Sequence, residues 1–186
     1  MHELTIWTVG HSTYAFEEFA SMLHYFNIEV LVDIRSFPGS RRYPHFNKEY
    51  LESALPLQNI EYMHFQKLGG RRKPMPQSKN IAWKHDAFRG YADYMETEDF
   101  KEAVERLETV AKGKRAAFMC SESLWWRCHR SLVADLFKSK GWKVVHIMAK
   151  EKEMEHPYTA PAKIVNGKLT YSGDSDLFNS CKKHLI

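Results

Sequence analysis

The chain has 186 residues, 44 % hydrophobic and 13 % aromatic, and its 27 basic against 23 acidic side chains leave a formal charge of +4. That length suits one domain with a substantial core, the composition excludes a disordered acidic or Pro/Gly-rich chain, and no apolar run approaches the roughly 20 residues that span a bilayer. Three cysteines, an odd number, argue against a disulfide framework and for a reducing cytoplasm, and "MHELTIWTVG" lacks the basic and apolar regions of a signal peptide.

Along the chain, "LTIWTVG" reads as a strand ending in a glycine turn. Phe16, Phe19, Leu23 and Phe26 then recur at helical spacing, with Thr13 as the expected cap and Glu17 and Glu18 in the first turn. "EVLVDIR" is a second strand, apolar until Asp33 as in a strand covered on both faces. The loop "SFPGSRRYPHFN" leads to a short helix from Lys48 capped by Asn47, and "IEYMHFQKLGG" gives a third strand and its exit. Residues 71–87, "RRKPMPQSKNIAWKHDA", predict a long exposed loop of the kind that serves as a lid or binding loop. Helices follow in "FRGYADYM" and "DFKEAVERLETVAK", then a fourth strand, "RAAFMC". A helix from Leu124 to Lys140 closed by Gly141, and a fifth strand, "WKVVHIM", complete the alternation. Asn166-Gly167 in "AKIVNGKLTY" signals a hairpin. The expectation is a single α/β domain with a mostly parallel central sheet flanked by helices, a core over 1–150, and a C-terminal appendage over 151–186 that carries the hairpin.

The polar exceptions gather where strands end: His11 and Ser12 after the first, Asp33 and Arg35 at the second, Gly69 and Gly70 after the third, Cys120 and Glu122 at the fourth. Ligands of open α/β sheets bind at the carboxyl ends of strands, because loops diverge there and helix N-termini aim their N–H groups inward. "FMCSESLWWRCHRSL" adds Cys128, His129 and Arg130, and admits three chemistries. As a nucleophile site it needs a thiolate, with His11 or Arg35 brought to Cys120 from a neighbouring strand; Cys128 shares four-residue spacing with Leu124 and Leu132 and so could be packed on a helix face. As a metal centre it offers Cys120, Cys128 and His129, with Cys181 and His184 as completions, although the spacing departs from a common zinc knuckle and no metal ligand is assigned from it. As an anion pocket it draws on Arg35, Arg41 and Arg130 as planar forks and on Ser12 and Ser40 as hydroxyl donors, with Asp33 and Glu122 orienting arginines or acting as acid or base. Tyr43, Phe46, Tyr62, Trp125 and Trp126 are aromatics available to stack a base.

"TVGHS", "VDIRSFPGSRRYPHFN", "IEYMHFQKLGG", "FRGYADYM" and "FMCSESLWWRCHRSLVADL" together resemble the successive motifs of the domain-of-unknown-function family 488, from about Leu4 to Met148. The resemblance implies that the recurrent polar residues fall on His11, Ser12, Asp33, Arg35, Ser40, Arg41, Cys120, Glu122, Cys128, His129 and Arg130. A strand running into Cys120 before a helix is also similar to the layout of rhodanese-like sulfurtransferases, but "SESLWWR" lacks their compact glycine- and arginine-containing loop.

The functional expectation is a cytoplasmic enzyme acting on a phosphate-bearing substrate, a nucleotide or nucleic acid, at the carboxyl edge of the sheet, with no cofactor named and no membrane partner. Arg35, Arg41, Arg130, Ser12, Ser40, Cys128 and His129 would bind it. Glu122 is the candidate acid or base, supported by His11, with Asp33 positioning and Cys120 the nucleophile if the chemistry is covalent. Two alternatives stand beside it: a non-catalytic nucleic-acid-binding module using "SRRYPHF" and "GGRRKP", and a cysteine-based redox or metal-binding protein.

Overall fold

The computed structural model describes residues 3–173. The apolar runs become strands β1 (Thr5–Gly10), β2 (Val30–Asp33), β3 (Glu61–His64), β4 (Ala116–Cys120) and β5 (Lys143–Ala149), all parallel and ordered β3-β2-β4-β1-β5. A further strand, β6 (Lys152–Glu155), turns back and closes the β5 edge antiparallel. The Asn-Gly hairpin forms as β7 (Lys163–Val165) and β8 (Lys168–Thr170), with positive φ at both Asn166 and Gly167 as a tight two-residue turn requires. Among the described residues no helix is long and apolar enough to cross a membrane.

The helices divide by direction of travel. From β1 through β2 to β3 the chain crosses on one face, by α1 (Phe16–Tyr25) and α2 (Lys48–Ala54), which bury Phe19, Leu23 and Leu51 against Val9, Leu31 and Met119. It returns on the other face by α3 (Asp86–Tyr94), α4 (Glu98–Gly113) and α5 (Arg130–Ser139), which bury Tyr91, Leu107 and Phe137 against Ile6, Val32 and Phe118. Right-handed crossovers require that change of face when the direction across the sheet reverses. β2 and β4 are buried at every position, which is why both read as unbroken apolar runs.

Local expectations fare unevenly. Thr97 caps α4 by accepting from the Phe100 N–H, with Glu98 and Asp99 in the first turn. α1 begins after Ala15 rather than at Thr13 and has no side-chain cap; Asn47 stands at the start of α2, but its Oδ1 accepts from the Ser40 N–H instead. The 71–87 loop is tied down: Asp93 on α3 accepts from the Met75 N–H, the Ser78 hydroxyl and the Asn80 amide, and Asn80 is buried. The predicted helix from Leu124 splits. Trp125–Arg127 form one 3-10 turn, Cys128 is extended (φ −132°, ψ 150°), and α5 starts at Arg130. Cys128 therefore lies before the helix, not on its face with Leu124 and Leu132.

Candidate functional site

Adjacent strands β1 and β4 send the chain in opposite directions and over opposite faces, so a crevice opens between their carboxyl ends. Backbone pairing continues past both strands: the His11 N–H donates to Cys120 O (3.0 Å) and the Ser12 N–H to Ser121 O (2.9 Å). On β4's other side, the Ile34 N–H donates to Met119 O (3.0 Å). Gly10 lets this loop close down, since a Cβ there would run into the Glu122 carbonyl. The result is a cavity of about 400 Å³ lined by His11, Ser12, Arg35, Ser40, Arg71 and Glu122. A hollow of about 150 Å³ adjoins it through Arg35, Phe37, Arg71 and Ser121 and reaches Cys120 and His129. Ser12 (φ 47°) and Arg71 (φ 62°) both hold left-handed backbone, a strained state that clusters at functional sites.

Asp33 and Arg35 form the floor. Arg35 Nε donates to both Asp33 oxygens (2.9 and 3.0 Å) and Nη2 to Oδ2 (2.5 Å), and Tyr62 donates its hydroxyl to the same carboxylate (2.8 Å). Burial pushes the Tyr62 phenol up, and the Asp33 charge pushes it further. Arg35 Nη2 also donates to Phe46 O (2.8 Å) and Nη1 to His11 Nε2 (3.1 Å). Four of the five guanidinium hydrogens are thus held by protein, and the remaining one on Nη1 is Arg35's contribution to the cavity. Because His11 Nε2 accepts, Nδ1 carries the proton and donates to Ser12 O (3.0 Å). His11 lies flat on Phe46, and burial followed by the Arg35 charge brings its pKa down to about 4. It is a neutral spacer that aims Arg35.

The two-cysteine segment converges on one ring. His129 Nε2 donates to Ile34 O (3.1 Å), so its Nδ1 lone pair points the other way, 3.6 Å from Cys128 Sγ and 3.9 Å from Cys120 Sγ. The Arg130 N–H donates to Cys128 Sγ (3.5 Å). His129, rather than His11 or Arg35, is the partner that reaches Cys120. The hydrogen bond to Cys128, together with burial, raises the Cys120 thiol; burial also works to raise Cys128, but Cys120's donation and the Arg130 charge outweigh it and bring that thiol down. Burial and the raised thiol work against free Cys120 as a nucleophile. Cys181 and His184, the sequence's other soft candidates, lie outside the described residues.

Arg130 departs from its expected role. Its guanidinium is fully buried and turned inward, donating to Thr8 Oγ1 (3.1 Å), Ser123 O (3.3 Å) and Glu122 O. It holds the 122–123 loop and does not line the cavity, and its buried Nε has no hydrogen-bond partner. Behind it runs a chain that sequence reading did not find: Thr8 donates to His146 Nδ1 (2.8 Å), His146 Nε2 to His156 Nδ1 (2.9 Å) and His156 Nε2 to Asp135 (3.0 Å). Each donor direction follows from the two ends, since Arg130 can only donate and a carboxylate can only accept. Burial, then the neighbouring His156 and the Arg130 charge, bring His146 down to about 2.

Of the remaining candidates, Glu122 is exposed and lines the cavity, and Ser40 lines it while its Oγ accepts from the Tyr43 N–H (3.1 Å). Arg41 is exposed on the 36–47 loop. Phe46 and Trp125 are buried, under His11 and on His146 respectively. Two aromatics line the cavity: Tyr43, one of those expected, and Phe37, 69 % exposed, with Arg71 over its ring. An apolar side chain in a loop of arginines and serines was the one sequence signal of Phe37.

The protein-family model described as "Domain of unknown function DUF488" matches residues 15–137, whereas no curated protein and no solved structure matches the chain.

Proposed function

The chain belongs to the DUF488 family, and from that premise we propose a cytoplasmic enzyme that acts on a phosphate-bearing substrate, a nucleotide or a nucleic-acid end, in the cleft above β1, β2 and β4. The observation that carries the reading is the convergence, around one cavity of about 400 Å³, of the free Arg35 Nη1 hydrogen, Arg71, the Ser12 and Ser40 hydroxyls and a single carboxylate, Glu122. Arg35 presents its donor from a fixed position, because Asp33, Phe46 O and His11 hold the other four; a preset donor loses little on binding. Arg71 supplies the second charge, and Phe37 offers an exposed face for a base. Glu122 is the acid or base, since it is an exposed carboxylate on the cavity lining whose backbone is fixed by Arg130.

The test is titration with inorganic phosphate and a panel of mononucleotides, followed by product analysis. Arg71→Ala and Phe37→Ala, both at exposed positions, should each weaken mononucleotide binding about tenfold or more with the fold intact. Glu122→Gln should bind as the wild type does and turn over about 10²–10⁴-fold more slowly. Absence of binding by every phosphate-bearing probe at low salt would sink the proposal. The second reading, a non-catalytic nucleic-acid binder, draws on the exposure of Arg41, Arg42, Arg71 and Lys73. It loses one of its cations to structure, since Arg72 lies over the Tyr94 ring at 3.6 Å and donates to Gly69 O.

A further inference from the structure

Beside the anion cleft, one lone pair faces two sulfurs. His129 Nδ1 stands 3.6 Å from Cys128 Sγ and 3.9 Å from Cys120 Sγ, and the three ligand atoms all lie within 4.8 Å of one another. A thiol relay from Cys120 through Cys128 to the ring would use this lone pair once. A metal ion would be held by all three groups at once. With Zn–S of about 2.3 Å and Zn–N of about 2.0–2.1 Å, a tetrahedron has S···N edges of about 3.6 Å and S···S edges of about 3.8 Å. The Cys128 S···N separation of 3.6 Å matches, the Cys120 one of 3.9 Å is slightly long, and the S···S separation lies within 4.8 Å, so a small closing of the triad would seat the ion.

The surroundings are those of a metal site. The other ring nitrogen of His129 donates to the Ile34 carbonyl, the outer contact that fixes the tautomer of metal-bound histidines and turns Nδ1 toward the ligand position. The Arg130 N–H donates to Cys128 Sγ, as backbone amides do to coordinated thiolates, and both cysteines are buried. Gly70 closes over the ring, where a Cβ would come within 2.9 Å of Nδ1. Two thiolates would neutralise a divalent cation, leaving no buried net charge. Among the described residues the group supplies three donors, and two of them, Cys120 and His129, line the hollow of about 150 Å³ that also contains Arg35, Arg71 and Ser121.

We propose that Cys120, Cys128 and His129 hold one soft divalent cation, with Zn²⁺ the best match to the donor set, and that its fourth coordination position opens into the hollow shared with the anion cleft. Three protein ligands with a vacant fourth position distinguish catalytic from closed structural zinc sites, and a water held there is acidified by the ion. The position would receive that water or an oxygen of a bound anion. The inference stands apart from the identity of the substrate, because the ion itself is the readout.

The experiment uses the full chain, reduced and stripped of metal, titrated with Zn²⁺ for stoichiometry and with Co²⁺ for spectra. The expected result is one equivalent bound, with intense thiolate-to-cobalt charge transfer and ligand-field bands of four-coordinate cobalt. Cys120→Ser, Cys128→Ser and His129→Gln should each weaken binding more than about 100-fold, beyond the roughly 10–100-fold loss typical of an outer partner, while Gly70→Ala falls in that outer range. Circular dichroism of each variant separates lost binding from lost fold. Adding inorganic phosphate to the cobalt form should shift the ligand-field bands. Wild-type binding no tighter than that of a folded Cys128→Ser variant overturns the site. Loss of the ion in a Cys181→Ser, His184→Ala double variant overturns the open fourth position, because those residues would then complete the cage.

Discussion

His11 shows how a residue can be conspicuous in the sequence yet do something other than catalyse. Its position after β1 suggested a group supporting Glu122, whereas Nε2 is occupied by Arg35 and Nδ1 by Ser12 O, and the residue is 3 % exposed. The charged and titratable groups facing it are Arg35, Asp33 and His45. Unfolded, it titrates near its ordinary value of about 6.5; folded, burial and then Arg35 hold it near 4. Between those values the unfolded chain takes a proton that the native state refuses, so stability is full above about pH 6.5 and falls as the pH drops toward 4. By pH 5 the loss from His11 is on the order of 2 kcal/mol, and His146, held lower still, adds a similar amount in the same direction. Urea midpoints at pH 7 and pH 5 should therefore differ clearly in the wild type, and His11→Gln should remove about half of the difference. An unchanged pH dependence in that variant would mean the ring is not held neutral.

At the scale of elements, α5 organises both sides of the site. Its first residue, Arg130, pins the 122–123 loop above the cavity. Asp135, inside the helix, gathers the C-terminal segment: it accepts from His156 beyond β6, from the Thr159 N–H (2.9 Å) and hydroxyl (2.6 Å), and from Tyr171 beyond β8 (2.9 Å). A buried carboxylate accepting from four donors is well satisfied, and an amide in its place presents N–H groups to donors. Asp135→Asn should cost roughly 3–5 kcal/mol, the range for breaking a buried charge network. The loss should also be local before it is global. Hydrogen exchange should speed first in β6 and the β7–β8 hairpin, then in the 122–123 loop through His146 and Thr8, while α1 and α2 on the opposite face keep their protection. Uniform acceleration across both faces would mean that α5 does not couple the tail to the site.

For the whole molecule, the legible part was the part built from periodicity. β2 and β4 are buried on both faces and read as unbroken apolar runs, and Asn166-Gly167 announced its turn, so sheet, layers and hairpin followed from sequence. Side-chain direction did not. Nothing local to "CHRSL" says that His129 aims Nδ1 at two sulfurs or that Arg130 faces inward; those follow from Ile34 and Thr8, distant in sequence. Phe37 was illegible for the same reason, because its exposure depends on how loop 36–47 meets Arg71. The same distinction between a built cleft and a charged surface decides how this molecule should respond to salt. With only +4 of net charge, a nucleic acid gains little from the molecule as a whole, and affinity must come from particular groups. A ligand seated between Arg35 and Arg71 meets one or two phosphates, so the slope of log K against log salt should lie at about −0.7 to −1.4, and affinity should saturate at one or two nucleotides. A surface binder spanning Arg41, Arg42, Arg71 and Lys73 would contact about four phosphates, giving a slope near −2.8 and affinity that climbs with oligonucleotide length. Binding of single-stranded oligonucleotides of increasing length, each at several salt concentrations, separates the two. A shallow, length-independent response places recognition in the cleft, and a steep, length-dependent one places it on the loops and removes the enzyme reading's main support.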